Sequence, residues 1–464
     1  MNPFLILLIG TVIVIGGIVA LRIGAFFSLI LAAIMVSILA PGGDKITRVA
    51  EAFGSTAGAI TIVIACAAVI GKAMMDSGAA DRVVRAFLKS LGEKRAPVAM
   101  MSSGFVLSIP VFFDTVFYLL VPLARSLYRS TKKNFLLYVL AIGVGGAITH
   151  TLVPPTPGPL LMAANLDFDV GIMIIMGIVV AFPTAVVALW FAHWLQRRMD
   201  IPMRPVAGVG DEEKEVVADE VPLPGLFVSL LPIILPVLLI GGNTVISTMA
   251  EEAGEASWQV GVVKSLSILG DTSKSLPSVA LLISAAVAVL TYWSTRKPSL
   301  VEMGKSIESA LMSAGIIILI TSAGGAFGGM LKLTGLKEAI QGMFAESTVS
   351  AATVMLLMGW AIAAMLKTSQ GSSTVAMITA SGMLASLADP TVIHPVYLAL
   401  AIGSGSLFVS WMNDSGFWIF SKMSGLTEVE ALKTWTPALA VLSVVGLLIT
   451  MLLAKLLPMA MGAV

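Results

Sequence analysis

The stretch Thr149-His150-Thr151-Leu152-Val153-Pro154-Pro155-Thr156-Pro157-Gly158-Pro159 sets four prolines and a glycine in the middle of apolar sequence. Proline has no N–H to donate and its ring clashes with the preceding turn, so no regular helix continues through it. A second interruption, Ser410-Trp411-Met412-Asn413-Asp414-Ser415-Gly416-Phe417-Trp418, lies late in the chain. The surroundings are those of a bilayer. Of 464 residues, 57% are hydrophobic and only 12% charged, with mean hydropathy +0.98, against about 25% charged in soluble domains. Windows such as 3–21, 225–242 and 436–456 reach the roughly 20 apolar residues that cross a hydrocarbon layer as a helix. Broken backbone at that depth is tolerated only where protein or a water-filled cavity satisfies it, so the two breaks mark the expected binding site.

An internal duplication organises the rest. Residues 57–89 overlay 314–346 at an offset of 257, matching Ala57-Gly58 with Ala314-Gly315, Gly71 with Gly328, Ser77-Gly78 with Thr334-Gly335 and Asp81 with Glu338. At an offset of 260, Ala141-Ile142-Gly143-x-Gly145 meets Ala401-Ile402-Gly403-x-Gly405, which puts Pro154 opposite Asp414. The expected fold is therefore an all-α polytopic membrane protein of two repeats. The first occupies 1–196, with a hairpin at about 97–124 and a broken helix at 134–166; a polar linker, 197–224, carries Asp211-Glu212-Glu213-Lys214-Glu215; the second occupies 225–464, with a hairpin at about 349–387 and a broken helix at 396–425.

Orientation follows from the lysines and arginines. Arg82, Arg85, Lys89, Lys94 and Arg95 precede an apolar segment that Arg125, Arg129, Lys132 and Lys133 follow, so that segment enters and leaves by one face as a re-entrant hairpin, with its tip at Ser108 to Thr115. The other spans are expected at 3–21, 24–40, 57–75 and 169–195, then 225–243, 277–294, 313–331 and 436–456. Counting each broken helix as one crossing gives an odd number per repeat, so the repeats are inverted and the discontinuous helices meet at the midplane. Arg22, Arg197, Arg198, Arg296, Lys297, Lys305 and Lys433 then fall inside; Lys332 and Lys337 are the exception. The first segment lacks the basic n-region of a signal peptide and is expected to be retained. The acidic segment 244–274 falls outside and receives no assignment.

The groups able to do chemistry gather on these irregular segments. Asp114 is costly at membrane depth, as such acids are when they handle substrate or protons; the alternative is a helix cap. His150 suits a proton relay or a substrate hydroxyl. Thr115, Thr151, Thr156 and Gly158 sit on or beside the tip and the first break, and a half-helix starting near Pro157 would offer its positive end to a carboxylate. Ser369, Gln370, Ser372 and Ser373 supply hydroxyls and an amide at the second hairpin, and Asn413, Asp414 and Ser415 supply donors and an acid at the second break. Lys367 either pairs with a carboxylate or snorkels to water. His193 and His394 read as structural. A single cysteine, Cys66, excludes an internal disulfide. The lack of a Walker motif or a His/Cys cluster argues against an ATP-driven pump, a metal site or an enzyme, and no basic patch suggests nucleic acid.

His150 to Pro159, Ile109-Pro-Val-Phe-Phe-Asp114 and Trp411 to Trp418 together resemble the gluconate permease (GntP) family of bacterial symporters, within the ion transporter superfamily, over essentially the whole chain. The resemblance implies a multi-pass protein of the bacterial inner (cytoplasmic) membrane. It also implies proton-coupled uptake of gluconate or another small hydroxylated organic acid by an elevator-like motion, with no cofactor beyond the coupling proton. The alternatives are a sodium-coupled carrier of a related acid and a proton-coupled D-serine carrier. A homodimer is compatible with the resemblance.

Overall fold

The computed structural model describes residues 2–459 except 18–20, 22, 93–94, 205–222, 253–261, 263–264, 266–271, 336–350, 386–387, 389–391 and 413. Its elements are α1 (Pro3–Ile15), α2 (Ala25–Leu39), α3 (Thr47–Ser77), α4 (Ala79–Leu91), α5 (Ala96–Leu107), α6 (Phe113–Thr131), α7 (Phe135–Leu152), α8 (Pro157–Asn165) and α9 (Val170–Arg198). They continue with α10 (Leu226–Glu252), α11 (Thr272–Arg296), α12 (Leu300–Lys332), α13 (Ala351–Gln370), α14 (Ser373–Leu384), α15 (Pro395–Gly405), α16 (Ser415–Ser424) and α17 (Glu428–Leu456). Among the described residues eight helical stretches are long and apolar enough to cross a membrane. The protein is an all-α, polytopic membrane protein. The helix containing 57–75 begins ten residues earlier than the hydropathy suggested, at Thr47, because Asp44 accepts from the Thr47 amide and hydroxyl and so starts it in the polar loop. Most of the segment 244–274 and of the linker 197–224 lies outside the described residues.

The two sequence interruptions are interruptions of helix. All eighteen residues of α7 are buried, as an all-round apolar helix should be; the chain breaks at 153–156 and resumes as α8. The Thr156 hydroxyl donates to the carbonyls of His150 at 2.9 Å and Val153 at 2.8 Å, satisfying backbone that the prolines leave without amide donors. The peptide between Pro154 and Pro155 is cis. The second break, between α15 and α16, is held by side chains. Thr436 donates to the Ser410 carbonyl at 2.5 Å, Trp418 Nε1 to the Met412 carbonyl at 2.7 Å, and Trp411 Nε1 to the Thr368 carbonyl at 2.8 Å.

Each interrupted helix follows a helix–turn–helix pair, α5–α6 before α7–α8 and α13–α14 before α15–α16, and precedes a long helix, α9 or α17. These elements pack on one another and form one side of the molecule, while α1, α2, α3, α11 and α12 form the other. Close backbone approaches need glycine in both places: a Cβ on Gly145 would lie 2.2 Å from the Met101 carbonyl oxygen of α5, and one on Gly328 of α12 would lie 2.3 Å from the Gly382 carbonyl oxygen of α14.

Candidate functional site

A cavity of about 300 Å³ lies where the two sides meet. Three helix N-termini reach it: Phe112, Phe113 and Asp114 from α6, Ser372, Ser373 and Thr374 from α14, and Asp414, Ser415 and Gly416 from α16. His150 and Thr151 of α7 and Lys367 of α13 complete its polar wall. The first amides of a helix have no intrahelical acceptor and carry about half a positive charge between them, so each N-terminus favours an anion.

Lys367 is 2% exposed. Its ammonium donates to Asp414 Oδ2 at 2.6 Å and to the Gly371 carbonyl at 2.7 Å. Asp414 also accepts from the Ser410 hydroxyl and, through Oδ1, from the Gly416 amide at 2.9 Å, which makes it the N-cap of α16. Ser410 in turn accepts from Trp435 Nε1 at 3.0 Å. The Trp435 ring stacks between Phe420, with centroids 4.6 Å apart, and Phe113, with centroids 5.5 Å apart. The ion pair is thus bound into the hairpin turn, the second break and α17 at once, and its charges cancel.

Asp114 is in a different position. The N-cap of α6 is Phe112, with no side-chain cap bond, so the capping alternative for Asp114 is not realised. No hydrogen bond or ion pair to its carboxylate is present among the described residues, and it lines the cavity. His150, 9% exposed, has a buried Nδ1 without a hydrogen-bond partner among the described residues and sets its ring 6.0 Å from that of Phe112.

Of the residues singled out from the sequence, Asp114, His150, Thr151, Ser372, Ser373, Asp414 and Ser415 come together here. Thr151 turns its hydroxyl onto the Ala147 and Ile148 carbonyls, both at 3.2 Å, and Ser372 caps α14 at the Val375 amide. Thr156 closes the first break instead, and Gly158 packs on α14, where a Cβ would strike the Met377 methyl at 2.2 Å. Thr115 lines a neighbouring chamber. The helix α8 does begin at Pro157, yet its N-terminus is not part of the cavity wall; α6, α14 and α16 provide the positive ends. Asn413 lies outside the described residues, as do the side chains of Ser369 and Gln370. Sequence reasoning left Lys367 between two roles, took Ser410 as part of the second break without giving it a role, and passed over Trp435, which lies 25 positions from Ser410 with no local signal. His394 caps α15, accepting from the Val396 amide at 3.2 Å, and His193 bonds the Leu189 carbonyl at 2.8 Å, both structural.

The chain matches the model of the GntP family permeases over residues 2–457. It is 32% identical to the gluconate permease of Pseudomonas aeruginosa, with 97% of this chain and 98% of the relative covered. It is 30% identical to the inner membrane permease YgbN of Escherichia coli, with 96% and 97% covered. Its fold is similar to that of the Alcanivorax borkumensis YdaH transporter, of unusual topology, with TM-score 0.66, 11% identity, and 95% of this chain and 98% of that one covered. The chain is therefore a multi-pass inner-membrane protein that belongs to the GntP family of permeases.

Proposed function

We propose that this permease carries gluconate, or a related small hydroxylated carboxylate, into the cell together with a proton. The observation that carries the reading is the convergence of three helix N-termini and the Lys367–Asp414 pair on a cavity that also holds Asp114, an acid with no hydrogen-bond or ion-pair partner among the described residues. A volume of about 300 Å³ lies at the small end of ligand pockets and suits a six-carbon acid better than a nucleotide. The gluconate permease among the relatives supports the same class of substrate.

The charges supply a coupling mechanism. Lys367 and Asp414 neutralise each other, so the helix ends are left to face one further anion. With Asp114 ionised that anion is its own carboxylate. A substrate carboxylate arriving within about 6 Å would be repelled by roughly 3 kcal/mol at an effective dielectric of about 20, or about a hundredfold in affinity. Protonation of Asp114 removes the repulsion, so proton and anion each favour binding of the other, which is the linkage a symporter needs. Hydroxyls of the substrate would meet Ser373 and Ser415, with the His150 ring beside them.

The distribution of polarity supports an elevator-like motion. Among the described residues the charged and hydroxyl groups on the cavity wall come from α6, α7, α13, α14 or α16 and their N-caps, whereas the opposite side contributes Ile316, Ile317 and Ile320 of α12. A substrate held by one body and touching the other through isoleucines can travel with the first. The paired order of hairpin, interrupted helix and long helix supports the inverted repeat.

The test is uptake of radiolabelled D-gluconate into proteoliposomes under an inward proton gradient, with unlabelled D-serine, D-glycerate and hexuronates as competitors. Accumulation that a protonophore abolishes is expected. Accumulation that ignores the protonophore and follows a sodium gradient would refute proton coupling, and neither uptake nor competition would refute the substrate class.

A further inference from the structure

We propose that Phe112 is the gate on a route from the central cavity to a basic vestibule, and that Arg296 and Lys305 in that vestibule hold the anionic substrate in passing. The inference rests on the reading of the substrate as a small carboxylate. Three cavities lie in a row. Phe112 lines both the central cavity and a chamber of about 90 Å³. Lys72 and Ser309 line both that chamber and a more open vestibule of about 630 Å³. The chamber runs between α3 and α12 on one side and the α5–α6 turn on the other, so it follows the boundary between the two bodies. Thr115, which the central cavity leaves out, is on its wall.

At about 90 Å³, less than a third of the central cavity, the chamber is the narrowest of the three, and Phe112 stands where it meets the central cavity. Phe112 stands on the extended backbone that begins α6, against the ring of His150, and is placed to turn aside or be carried off by the hairpin. The vestibule has three cations, Lys72, Arg296 and Lys305, against two acids, Asp76 and Glu302. Both acids are engaged. Asp76 takes Lys72 and the Ser306 hydroxyl, each at 2.5 Å, while Glu302 takes the amide and hydroxyl of Ser299 at 2.8 and 2.9 Å, closing the capping box of α12. Three cations against two acids leave one positive charge in excess on this wall; Arg296, whose Nε donates to the Asp76 carbonyl at 3.2 Å, also faces Asp81, and Lys305 stands beside Glu302. A guanidinium beside an ammonium is suited to a carboxylate.

The experiment uses the full chain with Cys66→Ser, a single new cysteine, and impermeant methanethiosulfonate reagents of either charge added to one face of oriented vesicles. Ser309→Cys is expected to react only from the face that carries Arg296 and Lys297, several-fold faster with the anionic reagent than with the cationic one. Lys305→Gln should erase that preference. Ser373→Cys, behind the gate, should be labelled several-fold faster from the same face when Phe112→Ala is added and slower with Phe112→Trp. A Ser373→Cys rate that neither Phe112 substitution changes would overturn the gate. A Ser309→Cys site silent from both faces, while Lys297→Cys reacts, would overturn the route. D-Gluconate should protect Ser373→Cys; loss of protection with the labelling pattern intact would refute the substrate and leave the route.

Discussion

Replacing Lys367 by methionine tests how the buried pair is held. The change keeps most of the side-chain volume and removes the ammonium from a residue only 2% exposed. Asp414 would then keep the Ser410 hydroxyl and the Gly416 amide as partners and lose its counter-charge. Removing one member of a buried ion pair costs about 3–5 kcal/mol, because the other charge stays desolvated; the lost bond to the Gly371 carbonyl adds about 1 kcal/mol. Asp414→Asn strands the lysine and should cost a similar amount. The double variant is different. Asparagine can still accept from the Gly416 amide and cap α16, methionine fills the lysine stem's space, and neutral replacement of a buried pair is often close to isoenergetic. Equilibrium unfolding in mixed detergent micelles should therefore find both single variants strongly destabilised and the double variant within about 1–2 kcal/mol of the parent. A double variant no more stable than the weaker single variant would refute the argument that these two charges hold each other. All three variants should fail to accumulate substrate, which separates the stabilising role from the transport role.

Asp114→Asn should abolish proton-driven accumulation in proteoliposomes while leaving substrate exchange, since the cavity would be permanently neutral at that position; full accumulation would remove Asp114 from the mechanism. Gly145→Ala places a methyl 2.2 Å from the Met101 carbonyl oxygen, a clash with backbone that cannot rotate away, and should cost about 1–3 kcal/mol in the same unfolding measurement; parent-like stability would mean that α5 and α7 do not approach so closely. Arg204→Ala removes a two-pronged bond to Glu430, at 2.6 and 2.7 Å, but the arginine side chain is 40% exposed. Its loss should cost no more than about 1 kcal/mol and less in high salt, and a larger effect would show that this tether between the linker and α17 outweighs its exposure.

The membrane class, the apolar helices and the two interruptions were legible because they are properties of contiguous sequence. A window is long and apolar enough to cross a bilayer or it is not, and Pro154 to Pro159 cannot form a helix in any surroundings. Asp114, His150 and Asp414 could be singled out for the same reason, as polar groups too costly to sit at that depth without a purpose. The partners of these groups were a different matter. Lys367 meets Asp414 across 47 positions, and Trp435 meets Ser410 across 25; nothing local separates a lysine that pairs from one that reaches for water. The helix after Pro157 begins where the prolines put it, yet it packs against α14, and the positive ends that face the cavity belong to α6, α14 and α16. Where a helix starts is decided by its own backbone and first few side chains; which way it points is decided by neighbours hundreds of residues distant. The sequence alone therefore determined that this chain spans a membrane and breaks at two places, and only the packing of those broken ends against each other decided which acid is neutralised and which remains open to the cavity.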